Sequence, residues 1–291
     1  MIEFYKFTKT YFLDSLEIKF YQPKSQILQK YLEGYYFLSQ KEDDPTVKYL
    51  TFPNNYNIIS IYENTEIIYS ENQVTARGKE NEPFSSDMIC HYKKPIKIVN
   101  IGKLNELTFY FKPLGLNGFI NQKLSEFTTD FFLNFIPFDD YKIVMQTILR
   151  EKNREIQIDL IENYWISKLV GFEHPFLNQV LDDLLDLKND YSITELAKKY
   201  NISRQNLNKH FENHLCKSPS DFKKIQRFRD ALKNRINKNF NENLTSLSYD
   251  MLFYGQSHLI KDFKSLTGLT PKKFFKNISS QDEGKINWLF A

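Results

Sequence analysis

The sequence predicts an α+β chain of more than one domain, mostly β at its N-terminal end and all-α at its C-terminal end. Three observations carry this. Up to about residue 112 the chain runs in short aromatic and β-branched stretches of strand length, separated by turn residues. From about Tyr141 the apolar period becomes helical, and between Ser192 and Asn277 one two-helix pattern is written twice. At 291 residues the chain exceeds the usual size of one domain, and 41% hydrophobic content suffices for ordinary cores.

The N-terminal stretches include Tyr35 to Leu38, Ile58 to Tyr62, Glu66 to Tyr69, Ile96 to Ile101 and Leu107 to Phe111, with Pro53, Asn54, Asn55, Gly78 and Pro95 between them. Many short strands at such spacing predict a small sandwich or barrel. Ile27 to Leu32 reads as a short helix ahead of most of them. Phe84, Tyr92, Phe109 and Phe111 have two readings, rings lining a ligand pocket or rings filling the core, and the second is favoured because each buries so much apolar area.

Tyr141 to Lys152 and Arg154 to Val170 carry apolar residues three and four apart, the second with Ile156, Leu160, Ile161, Tyr164, Trp165 and Leu169. Each predicts an amphipathic helix that packs on the N-terminal domain or on a second subunit. Gly171, His174 and Pro175 end that pattern and place a flexible joint near residues 171–176. Phe176 to Leu187 then turns Phe176, Val180, Leu181, Leu184 and Leu187 inward and Asp182, Asp183 and Asp186 outward.

In the first copy of the repeat Leu196 and Ala197 precede Asn201; Ser203 opens a segment containing Leu207 and Phe211; Ser218, Pro219 and Phe222 follow. In the second, Leu247 and Ser248 precede Leu252, and Leu259, Phe263, Thr270, Pro271 and Phe274 follow, at an offset of 51 residues before the turn and 52 after it. One residue inserted at the turn accounts for the change. Asn201 suits a left-handed turn, Ser203 can accept a backbone N–H at the start of the next helix, and Ala197 is small where two helices must nearly touch. This is the logic of a helix-turn-helix.

The exposed positions of the second helices point to nucleic acid. After Ser203 come Arg204, Gln205, Asn206, Asn208 and Lys209, and the other copy offers Gln256, Ser257, His258, Lys261 and Lys264. Arg, Gln and Asn make paired hydrogen bonds to guanine or adenine edges in the major groove, while Lys neutralises phosphate. A solvated face would explain one such helix; two at a fixed spacing favour DNA reading. Charge agrees, because residues 191–278 carry 17 Lys plus Arg against 7 Asp plus Glu, net +10, whereas residues 1–190 carry 21 against 27, net −6.

With these residues in view, Ser192 to Asn277 resembles the DNA-binding domain of AraC/XylS-type transcription regulators. The resemblance rests also on Arg227, Phe228 and Ala231 of a connecting helix, on Gln256 to Leu259, and on Phe263, Lys264, Thr267, Gly268, Leu269, Thr270 and Pro271. It implies two subdomains joined by a long helix and entering successive major grooves, with recognition helices about one turn of DNA apart, roughly 34 Å. The DNA-contacting set it implies comprises Ser203, Arg204, Gln205, Asn206, Asn208 and Lys209, then Lys223, Lys224 and Arg227, then Gln256, Ser257, His258, Lys261, Lys264 and Pro271. Leu252 stands where the family's second turn usually has glycine, and Gly255 where it commonly has Asp. This implies a reshaped second turn and a weaker second reader.

Regulators similar to this one often carry a cupin-like barrel as a sensor, and the segment with Phe111, Pro113, Leu114, Gly115, Leu116 and Phe119 resembles the end of such a sensor. The fold class expected is therefore α+β multidomain, a mostly-β cupin-like barrel with helices followed by an all-α double helix-turn-helix. Expected boundaries are 1–135 for the sensory domain, 136–172 for a helical linker or dimerisation region, 173–280 for the DNA-binding domain and 281–291 for a tail that frays or docks back.

No catalytic constellation, cofactor or metal site is expected: residues 1–190 hold only His91 and His174, and Gly115 and Gly118 are too few for a phosphate loop. Two cysteines, Cys90 and Cys216, make no disulfide framework and are too few for a DNA-repair methyltransferase. With no leader-like start and no long apolar run, a cytoplasmic protein without membrane partners is expected, and richness in Asn, Lys, Ile and Phe fits an AT-rich bacterial genome. The partners expected are double-stranded promoter DNA, RNA polymerase, an effector that is a small molecule or a protein, and a second copy of the chain. Activation is the sign of regulation the family resemblance implies. A ring-lined cavity in the sensor would favour the small molecule, and an exposed apolar patch a protein.

Overall fold

Alternation along single strands decides the N-terminal architecture. In β10 (Leu104–Phe111), Leu107, Phe109 and Phe111 point to one core while Leu104 and Tyr110 point to another; β3 (Leu32–Gln40) and β5 (Asn57–Tyr62) divide their residues the same way. These three strands form the centre of a sheet that is apolar on both faces, which is why the sequence shows nearly continuous aromatic runs there. The structure, a computed structural model, describes residues 8–13, 16–127, 133–186, 191–237, 256–279 and 286–287.

The larger sheet has the order β1-β2-β3-β10-β5-β8-β11, adding β1 (Thr8–Leu13), β2 (Leu16–Tyr21), β8 (Ser85–Ile89) and β11 (Leu133–Asn134). The smaller has the order β12-β4-β9-β7-β6, from β4 (Val47–Thr51), β6 (Thr65–Ser70), β7 (Gln73–Gly78), β9 (Ile96–Ile101) and β12 (Ile286–Asn287). They lie face to face over Ile18, Tyr36, Leu38, Tyr49, Ile58 and Ala76. Among the described residues no strand of one sheet pairs with a strand of the other, so the expected barrel is two sheets and is not closed. Of the tail, the described residues Ile286 and Asn287 run parallel to Leu50 and Thr51.

Helices cover the outer face of the larger sheet. α1 (Tyr141–Arg150) and α2 (Arg154–Ser167) bury Tyr141, Met145, Ile148, Ile158, Ile161 and Trp165 against Phe109, Phe111 and Phe119. Trp165 meets all three rings edge-on at 4.9–5.5 Å, the favoured aromatic geometry. The amphipathic stripe thus packs within the chain, although Ile156, assigned to it from spacing, is 45% exposed. Phe84, Phe109 and Phe111 are core residues. The short helix expected at Ile27 to Leu32 is a single 3-10 turn, Leu28–Lys30.

The C-terminal helices are α3 (Leu177–Leu185), α4 (Ile193–Lys199), α5 (Arg204–Leu215), α6 (Pro219–Asn237), α7 (Gln256–Thr267) and α8 (Pro271–Ser279). α3 to α5 share a core of Val180, Leu184, Leu196, Ala197, Leu207 and Phe211, closed by Phe222 from the start of α6. Farther along α6, Ile225, Phe228, Ala231 and Leu232 enter a second core with Leu259, Phe263 and Phe274 of α7 and α8. One helix therefore serves two cores, as a connecting helix must.

Candidate nucleic-acid interface

Hydrogen bonds fix each step of the first unit. Ser192 opens α4 with a reciprocal cap: its hydroxyl accepts the Glu195 amide N–H at 3.2 Å, and the Glu195 carboxylate accepts the Ser192 N–H at 2.7 Å. Asn201 adopts the left-handed conformation expected of it, with φ 53°, and the Ile202 N–H returns to the Ala197 carbonyl at 2.9 Å. Ser203 then caps α5 by accepting the Asn206 N–H at 3.1 Å. Lys199 and Tyr200 both donate to Asp183 on α3 at 2.7 Å, tying that helix into the unit.

This scaffold leaves Ser203, Arg204, Gln205, Asn206 and Lys209 exposed and Asn208 half-buried, while Leu207, Phe211 and Leu215 anchor the opposite face. An exposed guanidinium and carboxamides at the start of a rigidly seated helix are what major-groove reading requires.

The second unit shows the same design where it is described. α7 exposes Ser257, Lys261 and Lys264; the side chains of Gln256 and His258, and the turn with Leu252 and Gly255, lie outside the described residues. Thr270 accepts the Lys273 N–H at 3.4 Å at the head of α8, as Ser218 accepts the Asp221 N–H at 3.0 Å at the head of α6. Pro271 and Pro219 each occupy the first helical position, where a missing N–H costs nothing. Pro271 is buried there, so its place in the repeat is that of a helix start.

On α6 the cations are bonded within the protein more than the sequence suggested. Lys223 is half-buried and donates to the Tyr191 carbonyl at 2.5 Å, Lys224 donates to the Ser265 hydroxyl of α7 at 2.8 Å, and Arg227 is half-buried. Arg229 is 8% exposed and donates to the carbonyls of Pro53, at 2.8 Å, and Phe52. These belong to a strap, residues 52–55, that leaves the smaller sheet and lies on α6. Phe52 enters the second helical core, 5.1 Å from the Phe274 ring, and Asn55 donates to the Phe222 carbonyl at 3.1 Å. Lys217 is 2% exposed and reaches the Asn54 carbonyl at 3.3 Å; burial holds its ammonium down to about 8. Sequence reasoning missed Arg229 and Lys217 as ties between the two halves, because nothing local marks a cation whose partners lie more than 160 residues away.

Between the two sheets lies a cavity of about 60 Å³ lined by the rings of Tyr36, Tyr49, Tyr62, Tyr92 and Tyr110, with Glu106 from the larger sheet and Arg229 from α6. Tyr92 is the one of the four proposed pocket rings that faces it. Burial raises the Glu106 carboxyl above its ordinary range, and the hydroxyls of Tyr36 and Thr108 donate to it at 2.8 and 2.5 Å.

A protein-family model described as a helix-turn-helix domain matches residues 196–277. No curated protein sequence matches the chain. Among solved structures, similar ones are those of ToxT from Vibrio cholerae. One is 10% identical over 83% of this chain and 97% of that chain, with a TM-score of 0.45. Another, bound to (E)-4-(8-methylnaphthalen-1-yl)but-3-enoic acid, is 11% identical over 83% and 97%, with a TM-score of 0.42. A third, bound to an unsaturated fatty acid, is 11% identical over 82% and 94%, with a TM-score of 0.42.

Proposed function

We propose that this chain, whose C-terminal end is an AraC-type helix-turn-helix domain, is a sequence-specific DNA-binding transcription regulator. The observation that carries this is α5, a helix capped by Ser203 after a left-handed turn at Asn201, which presents Arg204, Gln205, Asn206 and Lys209 to solvent. α7 supplies a second basic face through Lys261 and Lys264. The proposed DNA-contacting set is that named from the sequence, less the buried Pro271 and the lysines Lys223 and Lys224 that bond within the protein, with α5 the principal base reader and α7 contributing phosphate contacts. Residues 1–172, in which α1 and α2 complete the core of the larger sheet, act as the effector-sensing domain, and 173–280 act as the DNA-binding domain. The regulator acts in the cytoplasm as an activator that contacts RNA polymerase.

A small molecule is the effector this reading favours. The cavity is ring-lined and Arg229 brings the connecting helix to its wall, so occupancy would be felt directly by α6. Its present volume of about 60 Å³ is far below the roughly 300 Å³ of an ordinary ligand pocket, so a larger effector enters only as the sheets part.

Binding-site selection with the full chain, followed by transcription in vitro from the selected sites, tests this. Enrichment of one motif and increased transcript are expected; recovery of random sequence, with affinity set by salt alone, would remove the reading.

A further inference from the structure

The joint after α2 contains His174, and folding places its ring against two more imidazoles, His210 and His214, on α5. His210 and His214 stand one turn apart and so on one face of the helix. One ring nitrogen from each of the three residues lies within 4.8 Å of the other two, and His174 Nε2 is 2.9 Å from His210 Nδ1. We propose that His174, His210 and His214 form a three-imidazole site for a divalent transition-metal ion, with zinc(II) as the reference occupant.

Two nitrogens held by one tetrahedral ion at about 2.0–2.1 Å each stand roughly 3.3 Å apart; the His174–His210 pair at 2.9 Å is already near that spacing, and no pair of the three has to close from beyond 4.8 Å. Imidazole-only donors select zinc, copper, nickel or cobalt over magnesium and calcium, which need oxygen ligands.

A second feature points to the same site. Asn117, from the turn after β10, is 1% exposed; its amide nitrogen is 3.3 Å from His214 Nδ1 and its amide oxygen has no hydrogen-bond partner. The two amide atoms exchange places by a rotation. With oxygen toward the ring, Asn117 accepts Nδ1–H and fixes the tautomer whose Nε2 lone pair faces outward, the part an outer-shell partner plays at metal sites.

Binding has a structural consequence. His174 Nδ1 now accepts the Leu177 and Phe176 N–H groups at 3.2 and 3.4 Å, so its proton sits on Nε2 toward His210. A metal on Nε2 moves that proton to Nδ1 and releases those two long bonds at the start of α3. A weak cap is exchanged for a coordinate link between the joint and α5. The site stands whether or not α5 reads DNA.

The experiment titrates cobalt(II), then zinc(II), into the tag-free full chain. A visible d–d spectrum of a tetrahedral ion, saturating at one cobalt per chain and bleached by one equivalent of zinc, is expected. His210→Gln and His214→Gln leave the α3 cap in place. Each should weaken zinc binding, measured by chelator competition, beyond the roughly 10–100-fold that losing an outer-shell partner costs. His91→Gln should bind as the unaltered chain does, and circular-dichroism melting checks that every variant folds. Absence of a saturable spectrum, or tight zinc binding by a folded His210→Gln chain, overturns the site and leaves the three rings as a hydrogen-bonded packing cluster.

Discussion

Arg204 and Asn206 stand exposed at the start of α5, where a side chain reaches base edges before it reaches phosphate. Replacing either with Ala should weaken specific binding by roughly 1–3 kcal/mol and relax preference at one base pair. Selection experiments with each variant read this, and unchanged preference in both removes them from the reading set. Lys217 gives a prediction on pH. The unfolded chain holds its proton up to the ordinary lysine value of 10.5, the folded chain only to about 8. Between these the unfolded state binds more protons, so stability rises with pH across that window and the full cost of burying the ammonium is present below it. The rise is on the order of 3 kcal/mol for this group. Lys217→Met should lack it, which urea midpoints at pH 8 and 10 compare directly; parallel profiles for the two chains would mean that the folded ammonium is solvated.

Elements were legible where their pattern is local. Asn201, Ser203 and Ala197 announced the turn, the cap and the close crossing, and all three hold those places. The strands at Ile58 to Tyr62 and Leu107 to Phe111 were legible as apolar runs because both faces of the larger sheet are buried. β4 and β8 were not named from sequence, because Lys48 and Asp87 interrupt short edge-like runs whose partners supply the missing context. On α6 the cations Lys223 and Lys224 read as phosphate contacts, yet their ammonium groups close the helix onto Tyr191 and Ser265. Neutralising the exposed Lys209, Lys261 or Lys264 should therefore lower the slope of log affinity against log salt by about 1 each. Lys223→Gln and Lys224→Gln should change it less while lowering the melting temperature. A larger slope change from the α6 pair than from the exposed lysines would show that those inward bonds open on DNA.

At the scale of the whole molecule the decisive contacts join residues far apart in sequence, which no periodicity encodes. Cys216 packs against the cluster that holds Cys90, although each was assigned to its own domain. Phe52 is the strongest case: a residue from the end of β4, 1% exposed, it sits in the core of the second helical unit with Phe228 and Phe274. Its carbonyl also accepts from the Tyr92 hydroxyl at 2.5 Å and from Arg229, so one residue links the cavity wall, the strap and α6. Halves locked by a buried ring of this kind should unfold together, because exposing the Phe52 site on either side costs both. Phe52→Ala removes the ring and leaves a cavity, worth about 3–5 kcal/mol by the usual large-to-small cost. The strap carbonyls keep their partners, so the loss falls on the helical core first. Calorimetry of the unaltered chain should show one cooperative transition, and of Phe52→Ala two, the lower belonging to α6 to α8. If the variant still melts in one step with only a small drop in temperature, the strap rides on the surface of α6 and the two halves are coupled elsewhere.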